Sequence, residues 1–355
     1  MDSTKPVITK ESKNRISVDY EGKLSFKERL MKKIQSSHTW IKVVVSVLKF
    51  ILMLGVSYVI LFPFFSKIAG SFMARQDVVD ATVSLIPKNW SLATYTAIMV
   101  DNKYWLAFLN TLLLSLLCAL IQTFVACLIG YGISKFKFKG NKLIMAVVIV
   151  TMIIPHSTLE YAMLQRFTSF DIAHVMSTQQ PGILELLLGW IPGWKGIELI
   201  NTFWPFLILS IGGIGFKNGL YIYMMRQFFK GVPDELEESA YVDGSGTFRT
   251  FLQIILPLSV PMMITIFLFA FSWQWTDQFY TQLFYRGSDS MKIWSMVDVV
   301  RIPSSLVDKN FAGGAIYDNV IKNTAGIMII APLIIMYLFC QRYLVQGIER
   351  SGLVG

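Results

Sequence analysis

Three ionisable residues stand inside long apolar stretches of the sequence: Glu160, Lys217 and Asp277. A charged side chain at the centre of a membrane-spanning helix costs about 2.5–3.5 kcal/mol, so each of them needs a role. Aromatic faces stack on the C–H face of a sugar ring, while carboxylate and amide groups bond its hydroxyls. The residues predicted to line a substrate pathway are Glu160, Lys217, Asn218, Trp273, Trp275, Asp277 and Gln278.

Each of these residues also has a purely structural interpretation, and the sequence leaves both open. Trp273 and Trp275 are of the type that packs in a core or anchors a helix at the lipid interface. Asp277 can lie at the outer membrane surface, where a span would end. Lys217 can pair with a carboxylate of a neighbouring helix or lie near an interface, and Glu160 can form a structural ion pair.

The sequence lacks the residue patterns of catalysis, metal binding and ATP binding. No Gly-x-x-x-x-Gly-Lys-Ser/Thr occurs, so no loop of that kind cradles the phosphates of ATP. The histidines are far apart, and the cysteines lie in apolar segments without metal-ligand spacing: His38, His156, His174, Cys118, Cys127 and Cys340. We expect no catalytic residue, metal or cofactor, and we expect another chain to supply energy.

The composition predicts an integral membrane protein. The 355 residues are 54% hydrophobic and only 15% charged, and the mean hydropathy is +0.53. A net charge of +9 is common in proteins that bind nucleic acid, but here the basic residues flank apolar runs. The tendency of lysine and arginine to stay on the cytoplasmic side explains this placement better, so we expect a bilayer and no nucleic acid as partner.

Six stretches are long and apolar enough to cross about 30 Å of hydrocarbon. They run over 43–66, 106–131, 143–163, 202–225, 258–280 and 323–344. Basic residues between Lys5 and Lys49, and between Lys135 and Lys142, predict a cytoplasmic N-terminus and a cytoplasmic loop between spans two and three. An even number of spans then returns the C-terminus to the cytoplasm. The predicted domains are a basic tail at 1–42, a membrane domain at 43–344 and a second tail at 345–355.

Two segments outside these spans carry weaker patterns. The polar tail predicts disorder, or partial helix along the membrane surface. The outer connection at 168–200 contains the apolar segment 182–192, which is too short to span the bilayer. We expect an interfacial helix there, with a re-entrant segment as the alternative. Between Gly212 and Gly215, small residues favour close helix contact or local unwinding.

A polar hairpin is predicted between the fourth and fifth spans, over 227–257. Pro233 and the acidic residues that follow it favour a helix start at Glu235, because negative charge is stabilised at a helix N-terminus. Asp243 and Gly244 then give a turn signal. An apolar stripe with helical spacing leads to Pro257 and predicts a second helix, which would bend into the next span.

This hairpin resembles the EAA loop of ABC importer permeases, whose pattern is Glu-Ala-Ala, a glycine four residues later, and Ile-x-Leu-Pro. The corresponding residues here are Glu238-Ser239-Ala240, Gly244 and Ile254-Ile255-Leu256-Pro257. The resemblance implies a coupling helix that docks into a cytoplasmic ATPase, and Ser239 is a small-for-small departure from the pattern. The implied coupling residues are Glu235, Glu238, Ser239, Ala240, Asp243, Gly244, Ile254, Leu256 and Pro257.

Residues 45–355 are similar to carbohydrate permeases of the maltose type, the shorter of two paired subunits. The marks are Asn110-Thr111-Leu112, Tyr131–Gly140, Met152–Pro155 and Arg226-Gln-Phe-Phe229. The resemblance implies an all-α type I ABC importer permease fold in the bacterial cell membrane. It further implies four partners: a second, different permease, two copies of an ATPase, and an extracytoplasmic sugar-binding protein.

Three other functions stay open at the level of the sequence. An ion-coupled secondary transporter would explain the intramembrane charges but not the hairpin. An ABC permease for a non-sugar polar solute would keep the architecture and change the cargo. A membrane receptor or scaffold would show no ATP-dependent uptake.

Overall fold

The structure is a computed structural model, and it describes residues 9–11, 17–19, 37–170, 197–215, 217–287, 292–307, 311 and 313–350. Two strands, β1 and β2, lie at Thr9–Glu11 and Ser17–Asp19. The α-helices are α1 Ser37–Ser71, α2 Arg75–Val79, α3 Ala93–Asp101, α4 Tyr104–Lys135, α5 Asn141–Ile153, α6 Glu160–Thr168, α7 Trp204–Ile211, α8 Asn218–Lys230, α9 Glu235–Val242, α10 Thr247–Trp275, α11 Phe279–Phe284 and α12 Gly314–Arg350. Short 3-10 helices lie at His156–Leu159, Met296–Val300 and Ser304–Leu306.

The chain divides into two compact units, residues 1–66 and 67–355. In the first unit, β1 and β2 pair antiparallel, with Thr9 opposite Asp19. These six residues are strands and not helix or disordered chain as expected for the tail; residues 1–8, 12–16 and 20–36 lie outside the described part of the chain. The part of α1 in this unit exposes apolar side chains along its length, from Trp40 to Phe65. A helix that is apolar all round is typical of a membrane span.

The described residues contain four helices long and apolar enough to cross a membrane, or five if one bent pair counts as a single span. The four lie in α1, α4, α10 and α12, and the bent pair joins α5 to the helical residues 156–168. Six continuous spans were expected from hydropathy. The two predicted spans that are interrupted here are the third and the fourth, so the total of six remains a prediction.

The predicted third span, 143–163, is bent by 94° where α5 ends. Ile154 is extended, with a ψ of 121°, and it precedes Pro155. A residue before proline is disfavoured in helical conformation, and proline has no N–H to continue the helical bonding. The chain therefore turns sharply at this point, and the prediction of one continuous helix over 143–163 is wrong.

The predicted fourth span, 202–225, forms two helices, α7 and α8, which hold 8 and 13 residues. Neither reaches the approximately 20 residues that a straight crossing needs. The backbone between them enters the left-handed region at Gly213, with φ +70°, and at Lys217, with φ +65°. The glycine-rich stretch thus unwinds the chain locally, as its composition had allowed.

The second unit is built around α4, which packs against α7, α8 and α10. The approach of α4 to α8 is close, since a Cβ added at Gly130 would lie 2.6 Å from the Cβ of Met225. α12 packs against α10. These contacts place α7, α8 and α10 around one central helix.

Candidate functional site

The hairpin consists of one helix, one turn and the beginning of a second helix. α9 starts at Glu235, as the acidic turn after Pro233 predicts. Gly244 then takes a φ of +80°, a left-handed conformation that glycine adopts without steric penalty. The N–H of Ser245 donates to the carbonyl of Ala240 at 2.9 Å and closes the turn. Sequence and structure therefore agree on the local form of the hairpin.

Lys135, the last residue of α4, ties this hairpin to the membrane bundle. Its side chain is only 7% exposed, and its ammonium donates to the carbonyl of Val232 at 2.7 Å and to the carboxylate of Asp234 at 2.5 Å. The carboxylate of Glu237 lies 3.7 Å away. Hydrogen bonds of this kind, with an ionised partner, are about twice as strong as neutral ones. Sequence reasoning missed this attachment.

Glu237 is the buried acid of α9. Its side chain is 11% exposed, and the hydroxyl of Tyr131 donates to it over 3.5 Å. Burial raises the pKa of Glu237, and the nearby ammonium of Lys135 only partly opposes that rise. In contrast, the hydrogen bond from Lys135 lowers the pKa of the exposed Asp234. The two carboxylates around one lysine thus differ in how readily they ionise.

The predicted coupling residues differ in exposure. Those exposed to solvent are Glu235, Glu238, Ser239, Asp243, Gly244 and Pro257, those half-buried are Ile254 and Leu256, and Ala240 is buried. Two apolar side chains beside them are strongly exposed, Val242 at 86% and Phe248 at 73%. A small apolar patch with an acidic rim is suited to contact another protein. Val242 was not singled out from the sequence.

The second helix of the hairpin runs directly into the membrane bundle. α10 continues without interruption from Thr247 to Trp275, and it contains a π-helical stretch at Phe251–Ile255. The bend expected at Pro257 does not end the helix, and this proline lies two residues after the π-helical stretch. The hairpin and the fifth predicted span therefore share one continuous backbone.

A cavity of about 230 Å³ lies between the two interrupted helices. Its walls come from the end of α5 through His156 and from the residues between Ile214 and Leu220. The Nδ1 atom of His156 and the hydroxyl of Tyr280 form a 2.5 Å hydrogen bond beside it. Irregular backbone at membrane depth is tolerated where protein or a water-filled space surrounds it. The two breaks thus open a space whose walls are partly polar and partly apolar.

Polar side chains from three helices meet at the end of α7. The amide of Gln122 donates to the hydroxyl of Ser210 at 3.0 Å, and the amide of Asn218 donates to the carbonyl of Ser210 at 3.3 Å. Asn218 is 1% exposed, and its Oδ1 atom accepts no hydrogen bond within the part of the chain that the structure describes. Buried polar groups are normally bonded, so this carbonyl oxygen is an unsatisfied acceptor beside the cavity.

Lys217, Asn218 and Trp273 are the predicted pathway residues that the fold brings together. The ammonium of Lys217 lies 5.0 Å from the centre of the Trp273 ring, which is a cation–π distance. Trp273 is 44% exposed, so much of its ring is accessible. This cluster joins the start of α8 to the end of α10 at the side of the cavity.

The other pathway candidates have different surroundings. Trp275 is 1% exposed, and its indole N–H donates to the carbonyl of Ile329 at 3.0 Å. Asp277 is buried and accepts the N–H of Thr281, so it caps the short helix α11. Glu160 lies 3.8 Å from Arg286 in a half-exposed ion pair. Gln278 is exposed directly before α11.

Among the residues that the structure describes, no three His, Cys, Asp or Glu side chains are grouped as a metal site. The geometry instead offers an exposed hairpin at one place and a small, partly polar cavity at another. A family described as "Binding-protein-dependent transport system inner membrane component" matches residues 122–350, well over half of the chain. The chain belongs to this family. The matched residues of this inner membrane component include the hairpin and both helix breaks.

Three sugar permeases are similar to this inner membrane component. The alpha-glucoside permease AglG of Rhizobium meliloti is 26% identical over 76% of this chain, and the match spans 62% of AglG. The arabinooligosaccharide permease AraQ of Bacillus subtilis is 26% identical over 86% of this chain and 94% of its own. The maltodextrin permease MalD of Streptococcus pneumoniae is 24% identical with the same two coverages.

Two solved structures share the fold of this inner membrane component. One is a bacterial ABC transporter involved in the import of the acidic polysaccharide alginate, with a TM-score of 0.59 and 18% identity. That likeness covers 91% of this chain and 99% of the other. The second is the alginate transporter in complex with a periplasmic protein that holds an alginate pentasaccharide, with a TM-score of 0.57 and 19% identity. The fold is that of an ABC importer permease.

Proposed function

We propose that this chain is a permease subunit of an ATP-driven carbohydrate importer and forms half of its translocation pathway. The observation that carries the proposal is the family match over residues 122–350, which contains the exposed hairpin. Similar proteins named as permeases for alpha-glucosides, arabinooligosaccharides and maltodextrin support a sugar, and an oligosaccharide in particular, as cargo. The subunit itself performs no catalysis.

The assembly would contain a second, different permease, two cytoplasmic ABC ATPase subunits and an extracytoplasmic sugar-binding protein. The family description and the periplasmic protein bound to the similar alginate transporter support this composition. The chain has no phosphate-binding Gly-x-x-x-x-Gly-Lys-Ser/Thr sequence, so the ATPase subunits would hold the nucleotide. The proposed location is the bacterial cell membrane, with six spans and both termini in the cytoplasm.

Coupling would run through α9, which the turn at Gly244 connects to α10 and which Lys135 connects to α4. The ATPase would contact the acidic residues Glu235 and Glu238 and the apolar patch at Val242 and Phe248, all of which are exposed. A shift of this surface would move α10 directly, because the helix is continuous. It would also pull on α4 through Lys135. For this to drive transport, the two ATPase states must contact the hairpin with different free energies.

The cluster of Lys217, Asn218 and Trp273 would line the pathway. An aromatic ring, a free amide oxygen and an ammonium suit the face and hydroxyl groups of a sugar. The cavity beside them is smaller than the roughly 300–1,000 Å³ typical of pockets for drug-sized ligands. It would therefore hold one part of an oligosaccharide, and the second permease would contribute the rest.

The first experiment is affinity purification of the tagged chain, identification of its stoichiometric partners, and ATPase assays over a panel of sugars with the binding protein. We expect a second permease and an ATPase, with activity stimulated by one carbohydrate. Recovery of the chain alone, with uptake driven by an ion gradient, would replace the proposal with a secondary transporter. Stimulation by a peptide or polyamine would keep the importer and change its cargo.

The hairpin is tested by Gly244→Pro and Glu238→Lys in the assembled complex. Proline cannot adopt the φ of +80° at Gly244, and Glu238→Lys reverses an exposed charge. We expect ATP-driven uptake to fall at least tenfold for each, with partners still bound. Gly246→Ala is the matched control, because Gly246 has a φ of −76° and open space around it. Unchanged uptake in both variants would refute the docking role.

A further inference from the structure

A hollow of about 710 Å³ opens where α4 ends and α5 begins. We name it the basic hollow, because five cationic side chains line it: Lys137, Lys139, Lys142, Arg226 and Lys230. The first three come from the connection between α4 and α5 and its continuation into α5, and the last two come from α8. Since α4 and α5 are apolar, their ends and this hollow lie at the surface of the apolar layer.

The charges of the basic hollow have few acidic partners. The ammonium of Lys135, next to the hollow, forms ion pairs with the carboxylates of Asp234 and Glu237. Lys137 attracts the carboxylate of Asp234 more weakly. Within the described residues, no carboxylate forms an ion pair with the other four cations of the hollow. The buried Nε atom of Arg226 also donates to no acceptor in this part of the chain. Such a group of cations favours an anion with several oxygen atoms.

An apolar surface borders the same hollow. Phe136 and Phe138 line it and are 44% and 43% exposed. Along α5, Leu143, Val147 and Val150 recur at helical spacing and are 70%, 55% and 48% exposed. This stripe begins one residue after Lys142, so cationic and apolar surfaces meet at the rim. A water-soluble acidic protein would match the charges but not this stripe.

We propose that the basic hollow binds the headgroup of an anionic phospholipid, whose acyl chains lie along the exposed stripe of α5. Lysine and arginine groups at a membrane surface attract anionic lipids, and basic pockets between membrane helices hold their headgroups. The phosphate would accept hydrogen bonds from Arg226 and the lysines, while the chains would cover Leu143 and Val147. The bound lipid would bridge the α4–α5 connection to α8. This inference does not depend on the identity of the transported sugar.

The test measures lipid binding to the full chain, purified with its partner subunits in mild detergent. Fluorescent phosphatidylglycerol is titrated against phosphatidylcholine, and retained lipids are counted by native mass spectrometry. Each cation near an anionic surface changes binding about fivefold, so Lys139→Gln with Lys142→Gln should weaken phosphatidylglycerol binding about 30-fold. Lys49→Gln with Lys322→Gln removes the same charge from exposed positions outside the hollow and should change nothing.

A second variant guards against an uninformative failure to fold. Arg226→Gln should weaken phosphatidylglycerol binding, and Arg226→Lys should retain most of it. Equal lipid retention by the Lys139/Lys142 variant and its control would overturn the inference. Displacement of the lipid by millimolar inorganic phosphate would make the hollow a small-anion site. If the Lys139/Lys142 variant loses the ATPase from the complex but still binds phosphatidylglycerol, the hollow is a contact site for an acidic protein surface.

Discussion

The ammonium of Lys135 lies 2.5 Å from the carboxylate of Asp234, and this contact joins the last residue of α4 to the residue before α9. The same ammonium donates to the carbonyl of Val232, so both the backbone and a side chain of the hairpin are held. The hairpin is therefore attached to the bundle at a point other than its covalent connections. A displacement of α9 must move α4 or break these bonds.

Lys135→Met tests this attachment. Methionine keeps an unbranched apolar side chain but removes the ammonium, which leaves Glu237 buried without its cation. Loss of a hydrogen bond to a charged group, about 1.5–3 kcal/mol, predicts at least a tenfold drop in sugar uptake per ATP hydrolysed. Uptake and ATPase activity are measured together in proteoliposomes. Lys137→Met removes the same charge two residues away, and an equal loss there would contradict the attachment.

The stability of the protein should depend on the ionisation of Glu237. Burial raises the pKa of this carboxyl above its ordinary value of 4.5. The folded state then holds the proton more tightly than the unfolded state, so stability falls as pH rises from the ordinary value through the raised one.

Glu237→Gln cannot ionise, so its Tm should match that of the wild type near pH 4 and exceed it at pH 8. Thermal unfolding of the purified complex between these pH values measures the difference. If the variant is less stable at pH 8, the attraction between Glu237 and Lys135 outweighs the cost of burial, and the sign of the prediction is wrong.

The packing of α4 against α8 should tolerate no side chain at Gly130. A Cβ there would lie 2.6 Å from the Cβ of Met225 and 3.0 Å from the backbone nitrogen of Arg226. Gly130→Ala should destabilise the protein by about 1–3 kcal/mol. Gly132→Ala, in the same helix with nothing within 4 Å of its added Cβ, should be neutral or slightly stabilising. The Tm values of the two variants are compared by thermal unfolding. Equal values would contradict the close approach of α4 to α8 at Gly130.

Trp273 and Trp275 should have separable roles. Trp275→Ala removes a fully buried ring that packs on Phe108 and Phe271, and we expect a loss of about 3–5 kcal/mol of stability. Trp273→Ala removes a half-exposed ring and should leave Tm nearly unchanged while raising the sugar concentration needed for half-maximal uptake. Unchanged transport by a well-folded Trp273→Ala would remove this residue from the pathway.

The sequence predicts the hairpin well because its signals are local. Pro233, the acidic first turn and Gly244 each act within a few residues, so their effect does not depend on the rest of the fold. The attachment by Lys135 could not be predicted in this way. Its partner Asp234 is 99 residues away, and no periodic pattern connects the two positions.

Hydropathy predicts where the chain enters the membrane but not where a helix breaks. The residues before Pro155 are so apolar that a window of about 20 residues still indicates one continuous span, although His156, Ser157 and Thr158 follow the proline. The environments of the two tryptophans are equally hard to predict from the sequence. Trp273 and Trp275 are about 200° apart around a helix, so they must face different directions. Which tryptophan contacts α12 depends on the packing of the whole bundle, and no local pattern in the sequence predicts it.

The π-helical stretch at Phe251–Ile255 sets the hairpin and the membrane part of α10 in different rotational phases. One extra residue in a turn rotates every later side chain by about 100° relative to an uninterrupted α-helix. Loss of one residue in this stretch would restore the α-helical turn, and gain of another would widen it. The stretch is thus a place where single-residue insertions or deletions can change the orientation of the hairpin, while the membrane part of the helix keeps its sequence.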